Sequence, residues 1–292
     1  MEYKQYMIVE KGYSHHTINY YLKDSLEFIN YCITKHHLLN IEDINKDHVH
    51  LYFKDLYSRL SPSSINRHIA SLKSFYRFLV KEGKIDINIM SSIKPIKKED
   101  YLPIVLNEDA IQKLLNYFDE NDPISLRNKC MIEVLYASGL RVSEMCSLTF
   151  KDINLKKRLI KCIGKGNKER IIPINKECCV LLQTYLDKKR SQIYKKESPY
   201  LFINKKGEAI HRDTFYHMLK KTAKQAGITK EISPHTLRHT FATHMLNHNA
   251  DLRSIQEMLG HSDISTTTIY THVSHSKLMD EYRKFDPGRK EK

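Results

Sequence analysis

One stretch of the chain, SPHTLRHTFATHMLNHNADLRSIQEMLGHSDISTTTIYTHVS, concentrates side chains able to carry out acid-base and anion chemistry. Ser233 is a natural helix N-cap and Pro234 fits the first helical position, so His235 and Arg238, three apart, share one helix face. A guanidinium presents forked N–H donors that match two oxygens of one phosphate, while an imidazole can donate a hydrogen bond or relay a proton. His261 and Tyr270 follow in the same stretch. Singly, each has a plain reading: Tyr270 is one of 18 tyrosines and alone would be a core or surface aromatic, and His239 and His244 suit capping or packing. His235 and His239, four apart, imitate two ligands of a zinc helix, but Thr236 stands where a zinc-protease glutamate is expected, so no metal site is assigned.

These residues need a scaffold, and the hydrophobic periodicity describes one that is mainly helical. Near the start, Ile18, Leu22, Leu26, Ile29 and Ile33 form an amphipathic stripe with Ser14 and Thr17 as caps. A second helix follows Asn45, with Val49, Tyr52, Phe53, Leu56 and Leu60 on one face. A third begins at Ser61 and Pro62, carries Ile65, Ile69, Leu72, Tyr76 and Leu79 inward, and is ended by Gly83. Its other face holds Arg67, Lys73 and Arg77, candidates for contacting a polyanion or simply a solvated face.

The text SSIKPIKKEDYLPIVL has two prolines, a charge cluster and no helical period, and reads as a linker. The expected division is a helical domain over residues 1–94, a linker over 95–106 and a second domain over 107–292. In the second domain Asn107 caps a helix running to about Phe118, and Leu126 to Ser138 forms another that Gly139 terminates. Arg141 opens a short helix with Val142, Met145 and Cys146 inward. RLIKCIGKGNKERIIPI has two β-rich runs around a glycine-containing turn, the pattern of a hairpin, with Leu201, Phe202 and Ile203 as a third strand. Helices resume near His211. The expected fold is therefore mainly α, with a small antiparallel sheet in an α+β second domain.

Composition narrows the partner. Lys and Arg outnumber Asp and Glu by 48 to 34, a formal charge of +14 that favours a nucleic acid over an anionic membrane surface. No apolar run approaches the roughly 18 residues of a membrane span, and the start MEYKQYMIVEKGYSHH lacks a signal-peptide core, so a cytoplasmic protein is expected. The six cysteines form no CxxC pair and sit among apolar neighbours, as reduced packing residues do.

Read together with ASGLRVSEMCSL and GKGNKER upstream, the histidine- and tyrosine-bearing stretch resembles the catalytic boxes of the tyrosine recombinases, in order, over most of residues 107 to 275; length and wording are similar to the Xer type. The resemblance implies Arg141 as a first arginine with Glu144 as its acidic partner, Lys165 in the hairpin turn, His235 and Arg238, His261, and Tyr270 as nucleophile. It also implies that the first domain is a core-binding, SAM-like DNA-binding domain.

Phosphodiester cleavage by a hydroxyl needs a nucleophile, stabilisation of charge on the phosphoryl oxygens and a proton for the 5′ leaving oxygen. On this resemblance Arg141 and Arg238 clamp the non-bridging oxygens and His261 adds a donor. Lys165 protonates the leaving group, and His235 is the candidate base for Tyr270. No metal and no cofactor is called for. Past the nucleophile, Leu278, Met279, Tyr282 and Phe285 recur at helical intervals. In the resembling family such a tail docks on a neighbouring protomer within a tetramer on two DNA duplexes. The partners implied are double-stranded DNA with paired half-sites, a homo- or hetero-tetramer, and a second recombinase or a DNA translocase; the expected role is chromosome or plasmid dimer resolution. The alternatives are integration or excision of a mobile element, a type IB topoisomerase, and a non-catalytic DNA-binding regulator.

Overall fold

A computed structural model describes residues 2–97, 104–164, 169–260 and 279–283. The chain divides into two compact units, Met1–Tyr101 and Leu102–Lys292.

The first unit is built from α1 (Glu2–Val9), α2 (His15–His36), α3 (Lys46–Arg59) and α4 (Pro62–Lys81). Side-chain caps start the three longer helices. Ser14 accepts from Thr17 N, Asn45 forms a capping box with His48, and Ser61 accepts from Ser64 N ahead of Pro62. The expected inward stripes of α3 and α4 are buried from Val49 to Leu56 and from Ile65 to Leu79, and Gly83 takes φ +63°.

Helix α2 departs from its expected stripe: Ile18 is buried, but Leu26 and Ile33 are 57% and 40% exposed, and Asp24, Ser25, Phe28 and Cys32 face inward instead. The cause is an ion pair that apolar periodicity cannot register. Asp24, 1% exposed, takes the Arg67 guanidinium and the Ser71 hydroxyl (2.7 Å) from α4, so a carboxylate can sit on the inner face. His68 Nδ1 meets the Tyr52 hydroxyl at 3.1 Å in the same buried cluster, and burial lowers its pKa. Arg67 is thus tied inward, under the Tyr20 ring, whereas Arg77 is exposed and Lys73 only partly so.

The second unit carries α5 (Glu108–Asn116), α6 (Pro123–Ser138), α7 (Val142–Ser147), α8 (Lys176–Thr184), a π-helical turn Tyr185–Lys189, α9 (Arg190–Ile193), α10 (Arg212–Gln225), α11 (Pro234–Asn247) and α12 (Leu252–Leu259). Strands β1 (Ile153–Asn154), β2 (Leu159–Ile163) and β3 (Glu169–Pro173) form an antiparallel sheet in the order β1-β2-β3, with Ile160 opposite Ile172 and Cys162 opposite Arg170. The third strand is β1, not Leu201–Ile203 as the sequence suggested. Residues 198–203 make isolated antiparallel bridges, Tyr200 with Thr149 and Ile203 with Ala209, and side chains add to them: Arg190 donates to the carbonyls of Ser198, Tyr200 and Leu201, and Arg127 to that of Ile203. Those carbonyls are satisfied without a ladder.

The core of this unit gathers around α6, from Leu126 to Leu135, with Leu237 and Phe241 of α11 and Ile160 and Ile172 of the sheet. Residues 279–283 are helical and lie against the same unit: Tyr282 is buried, its hydroxyl donates to Ala137 O at 2.8 Å, and Glu281 accepts from Asp251 N at 2.8 Å. All six cysteines are buried and free. No helix among the described residues is long and apolar enough to cross a membrane, and no group of three metal-ligating side chains occurs among them.

Candidate active site

Four elements of the second unit converge where α6 ends. Gly139 closes α6 at φ +61°, and a Cβ there would come within 2.4 Å of the Phe241 ring, so only glycine lets α11 approach the end of α6 so closely. The approach brings Arg238 of α11 to the turn, where its Nη1 donates to Gly139 O at 2.6 Å. Two residues on, Arg141 occupies the N-cap of α7, and Glu144 answers it from the third helical position. The Glu144 carboxylate accepts from Arg141 N at 2.7 Å and from Arg141 Nη1 at 3.0 Å.

A third arginine enters from β3. Arg170 lays its Nη1 and Nη2 against Glu144 Oε1 and Oε2 at 2.9 and 2.7 Å, a bidentate pair of which only about a tenth of either side chain is exposed. The C-terminal end of α12 completes the cluster. Its last carbonyls are taken in sequence by different guanidinium groups: Met258 O by Arg170 Nε (2.9 Å), Leu259 O by Arg238 Nη2 (2.6 Å) and Gly260 O by Arg141 Nη2 (3.3 Å). A helix C-terminus presents unpaired carbonyls and partial negative charge, so it suits three cations.

Two guanidinium groups, those of Arg141 and Arg170, share the Glu144 carboxylate, Arg238 adds a third cation to the cluster, and the excess charge is positive. Burial lowers the pKa of Arg238 to about 10, with the Arg141 charge adding to it, so the group stays cationic at neutral pH. Burial alone would raise the Glu144 pKa, but the hydrogen bonds and charges of Arg170 and Arg141 outweigh it and the net shift is downward. A guanidinium has five N–H donors; Arg238 and Arg141 each commit two nitrogens to the protein through one hydrogen apiece, which leaves donors for an oxyanion. Both side chains are partly exposed, and His235 is exposed in the first turn of α11. The arrangement has donors that can hold an oxyanion, backed by the buried Arg170–Glu144 pair.

Of the residues expected from the sequence, Arg141, Glu144 and Arg238 are thus in one cluster, with His235 one turn before Arg238 on α11. Lys165, His261 and Tyr270 lie outside the described residues, as do Leu278 and Phe285 of the tail. His244 packs: its Nδ1 meets the Tyr136 hydroxyl at 3.0 Å, and burial lowers its pKa. Arg170 was not singled out by sequence reasoning. The signal was its alternation with Ile172, which puts a charged side chain on the inward face of β3.

Comparison with known proteins agrees with this architecture. Residues 105–277 match the model of the phage integrase family, and residues 1–83 match that of the phage integrase N-terminal SAM-like domain. The chain is 42% identical to the tyrosine recombinase XerD of Listeria innocua serovar 6a, over 98% of this chain and 97% of that protein. Among solved structures, the XerH site-specific recombinase bound to palindromic difH substrate in a post-cleavage complex aligns with a TM-score of 0.69 at 25% identity, over 90% of this chain and 78% of that one. A lambda integrase tetramer bound to a Holliday junction aligns at 0.69 and 18% identity over 92% and 78%, a likeness of fold. The chain belongs to the phage integrase family of tyrosine recombinases.

Proposed function

We propose that this enzyme is a site-specific recombinase of the Xer type, which cuts and rejoins DNA through a covalent 3′-phosphotyrosine on Tyr270 and exchanges strands by way of a Holliday junction. The observation that carries the reading is the pair Arg141 and Arg238, partly exposed, cationic, and bound to the same helix end at Gly260 O and Leu259 O. Two forked cations fixed side by side fit the non-bridging oxygens of one phosphodiester, and a pentacoordinate phosphoryl group, with more negative charge on them, is held more tightly than the ground state.

In this mechanism Tyr270 attacks phosphorus, its proton passing to His235. Lys165 donates a proton to the departing 5′ oxygen, and His261, which directly follows Gly260 in the chain, adds a hydrogen bond to the phosphoryl group. Glu144 keeps the Arg141 guanidinium in place. The bond energy stays in the phosphotyrosine ester, and a 5′ hydroxyl from a second duplex attacks it to reseal the strand. The division of labour follows: residues 1–94 hold DNA, with Lys73 and Arg77 of α4 as candidate contacts and Arg67, also expected from the sequence, committed to Asp24, residues 95–106 link, and residues 107–292 cut. Assembly is as a homo- or hetero-tetramer on two duplexes with paired half-sites, tails docking between protomers, with a partner recombinase or a translocase as further participants.

The test is to incubate the protein with fragments of its own genome, denature, and sequence the DNA that remains attached. A covalent adduct at a discrete sequence, lost in Tyr270→Phe while DNA binding persists, is the expected result. An adduct that survives the substitution overturns Tyr270 as nucleophile, and no adduct from the wild type overturns the reading.

A further inference from the structure

Arg170 makes contacts that no catalytic role uses and that no surface residue would need. It stands on β3, one residue into the strand, and reaches two other elements at once: the carboxylate of Glu144 on α7 through both Nη atoms, and Met258 O at the end of α12 through Nε. Each of the three elements leads to a residue of the proposed chemistry. The segment joining β2 to β3 contains Lys165, α7 begins beside Arg141, and the chain leaves α12 through Gly260 to His261.

The packing around the guanidinium is close. A Cβ on Gly260 would come within 3.0 to 3.3 Å of Arg170 Nη1, Cζ and Cδ. Glu144 is shared between two arginines, and its geometry separates their roles. Arg170 takes the carboxylate side-on and is nearly buried, whereas Arg141 takes Oε1 with one Nη and stays 38% exposed. The carboxylate held by Arg170 is therefore the fixed point against which Arg141 is aimed.

We propose that Arg170 is a positioning residue for strand cleavage, which fixes Glu144 and the end of α12 so that the Arg141 guanidinium meets the phosphate in one geometry. The inference rests on the recombinase reading above. Arg170 touches neither DNA nor the reacting atoms; its effect is on the rate of cleavage once DNA is bound. A misplacement of about 1 Å at a reacting group can cost on the order of a hundredfold in rate. Lysine cannot replace it, because one ammonium cannot span both carboxylate oxygens and a carbonyl.

The experiment compares full-length wild type, Arg170→Lys, Glu144→Gln and the double variant on a duplex isolated by covalent capture on the wild-type protein, nicked so that cleavage is trapped. DNA affinity, thermal midpoint and the single-turnover rate of adduct formation at saturating protein are measured. The expected result is a Lys variant with affinity within about twofold and a cleavage rate down by roughly ten- to a hundredfold. Because both residues act through one contact, the double variant should be no more than about threefold slower than the slower single variant. If Arg170→Lys does not fold, Arg170→Gln, which keeps an N–H donor without a buried charge, supplies the comparison. A rate within about twofold of wild type, or a loss matched by an equal loss of affinity, overturns the role of Arg170 and leaves the recombinase reading standing. Absence of an adduct from wild type itself overturns both.

Discussion

Arg170 of β3 and Glu144 of α7 meet side-on as a pair, with Nη1 to Oε1 at 2.9 Å and Nη2 to Oε2 at 2.7 Å, and the same buried carboxylate also takes Arg141. Removing one member strands the other charge in a poorly solvated site. Glu144→Ala should therefore destabilise the second unit by about 3 kcal/mol, the scale for breaking a buried pair. Denaturant melts of the variant against wild type at pH 7 check this; a change below about 1 kcal/mol would assign the pair the weight of a surface contact.

Two carboxylates give the stability an opposite dependence on pH. Glu144 has a pKa below its ordinary 4.5, so it binds fewer protons folded than unfolded, and its contribution is present above that value and is lost as pH falls through the lowered one. Glu133 on α6 is the reverse: burial raises its carboxyl to about 7, so its cost to folding appears as pH rises from 4.5 and is complete above about 7. Glu133→Gln should flatten the decline between pH 5 and 8 and raise stability at pH 8 by up to about 3 kcal/mol. Melts across that range decide it; an unaltered pH slope would mean that Glu133 titrates normally.

Alanine at Arg141 or Arg238 should reduce single-turnover cleavage by on the order of a hundred- to a thousandfold, the usual loss for a donor aimed at developing oxyanion charge. Lysine should rescue neither fully, because each guanidinium also holds a carbonyl of the α12 end while presenting its remaining donors. Rates near wild type in either alanine variant would remove that arginine from the clamp.

Lys165→Ala should be slow on ordinary DNA and recover on a substrate whose scissile 5′ oxygen is sulfur, a leaving group that needs no proton. The predicted rescue is roughly a hundredfold, the scale of general-acid help. Equal impairment on both substrates would give the proton to another group.

The tail has a cis contact to test. Tyr282 is buried against its own unit, so Tyr282→Ala should lower stability by about 3 kcal/mol, as loss of a buried aromatic does, and the loss should not depend on protein concentration. Exchange of the tail between protomers on DNA predicts in addition that deletion after Ser276 reduces cooperative binding to two half-sites but not binding to one. Gel titrations on one and two half-sites separate these; unchanged cooperativity would rule out trans docking.

Much of this was legible in the chain itself because the relevant physics is local. Ser14, Asn45, Ser61, Asn107 and Ser233 cap the helices they precede, and Gly139 and Gly83 take the positive φ expected of them. These depend on neighbours a few residues away, as does the hairpin of β2 and β3. The order of the arginines, histidines and tyrosine is likewise a property of the sequence, and it identified the family. What the tertiary structure alone decided involves partners far apart in the chain. Asp24 could face the core only because Arg67 and Ser71 come to it, so an apolar count put Leu26 and Ile33 inward in its place. Residues 198–203 make isolated bridges to Thr149 and Ala209 in place of a longer ladder, with Arg127 and Arg190 taking further carbonyls. Arg170 acquired its partners only when β3, α7 and the end of α12 met, since alternation with Ile172 could turn it inward but could not name a carboxylate 26 positions away.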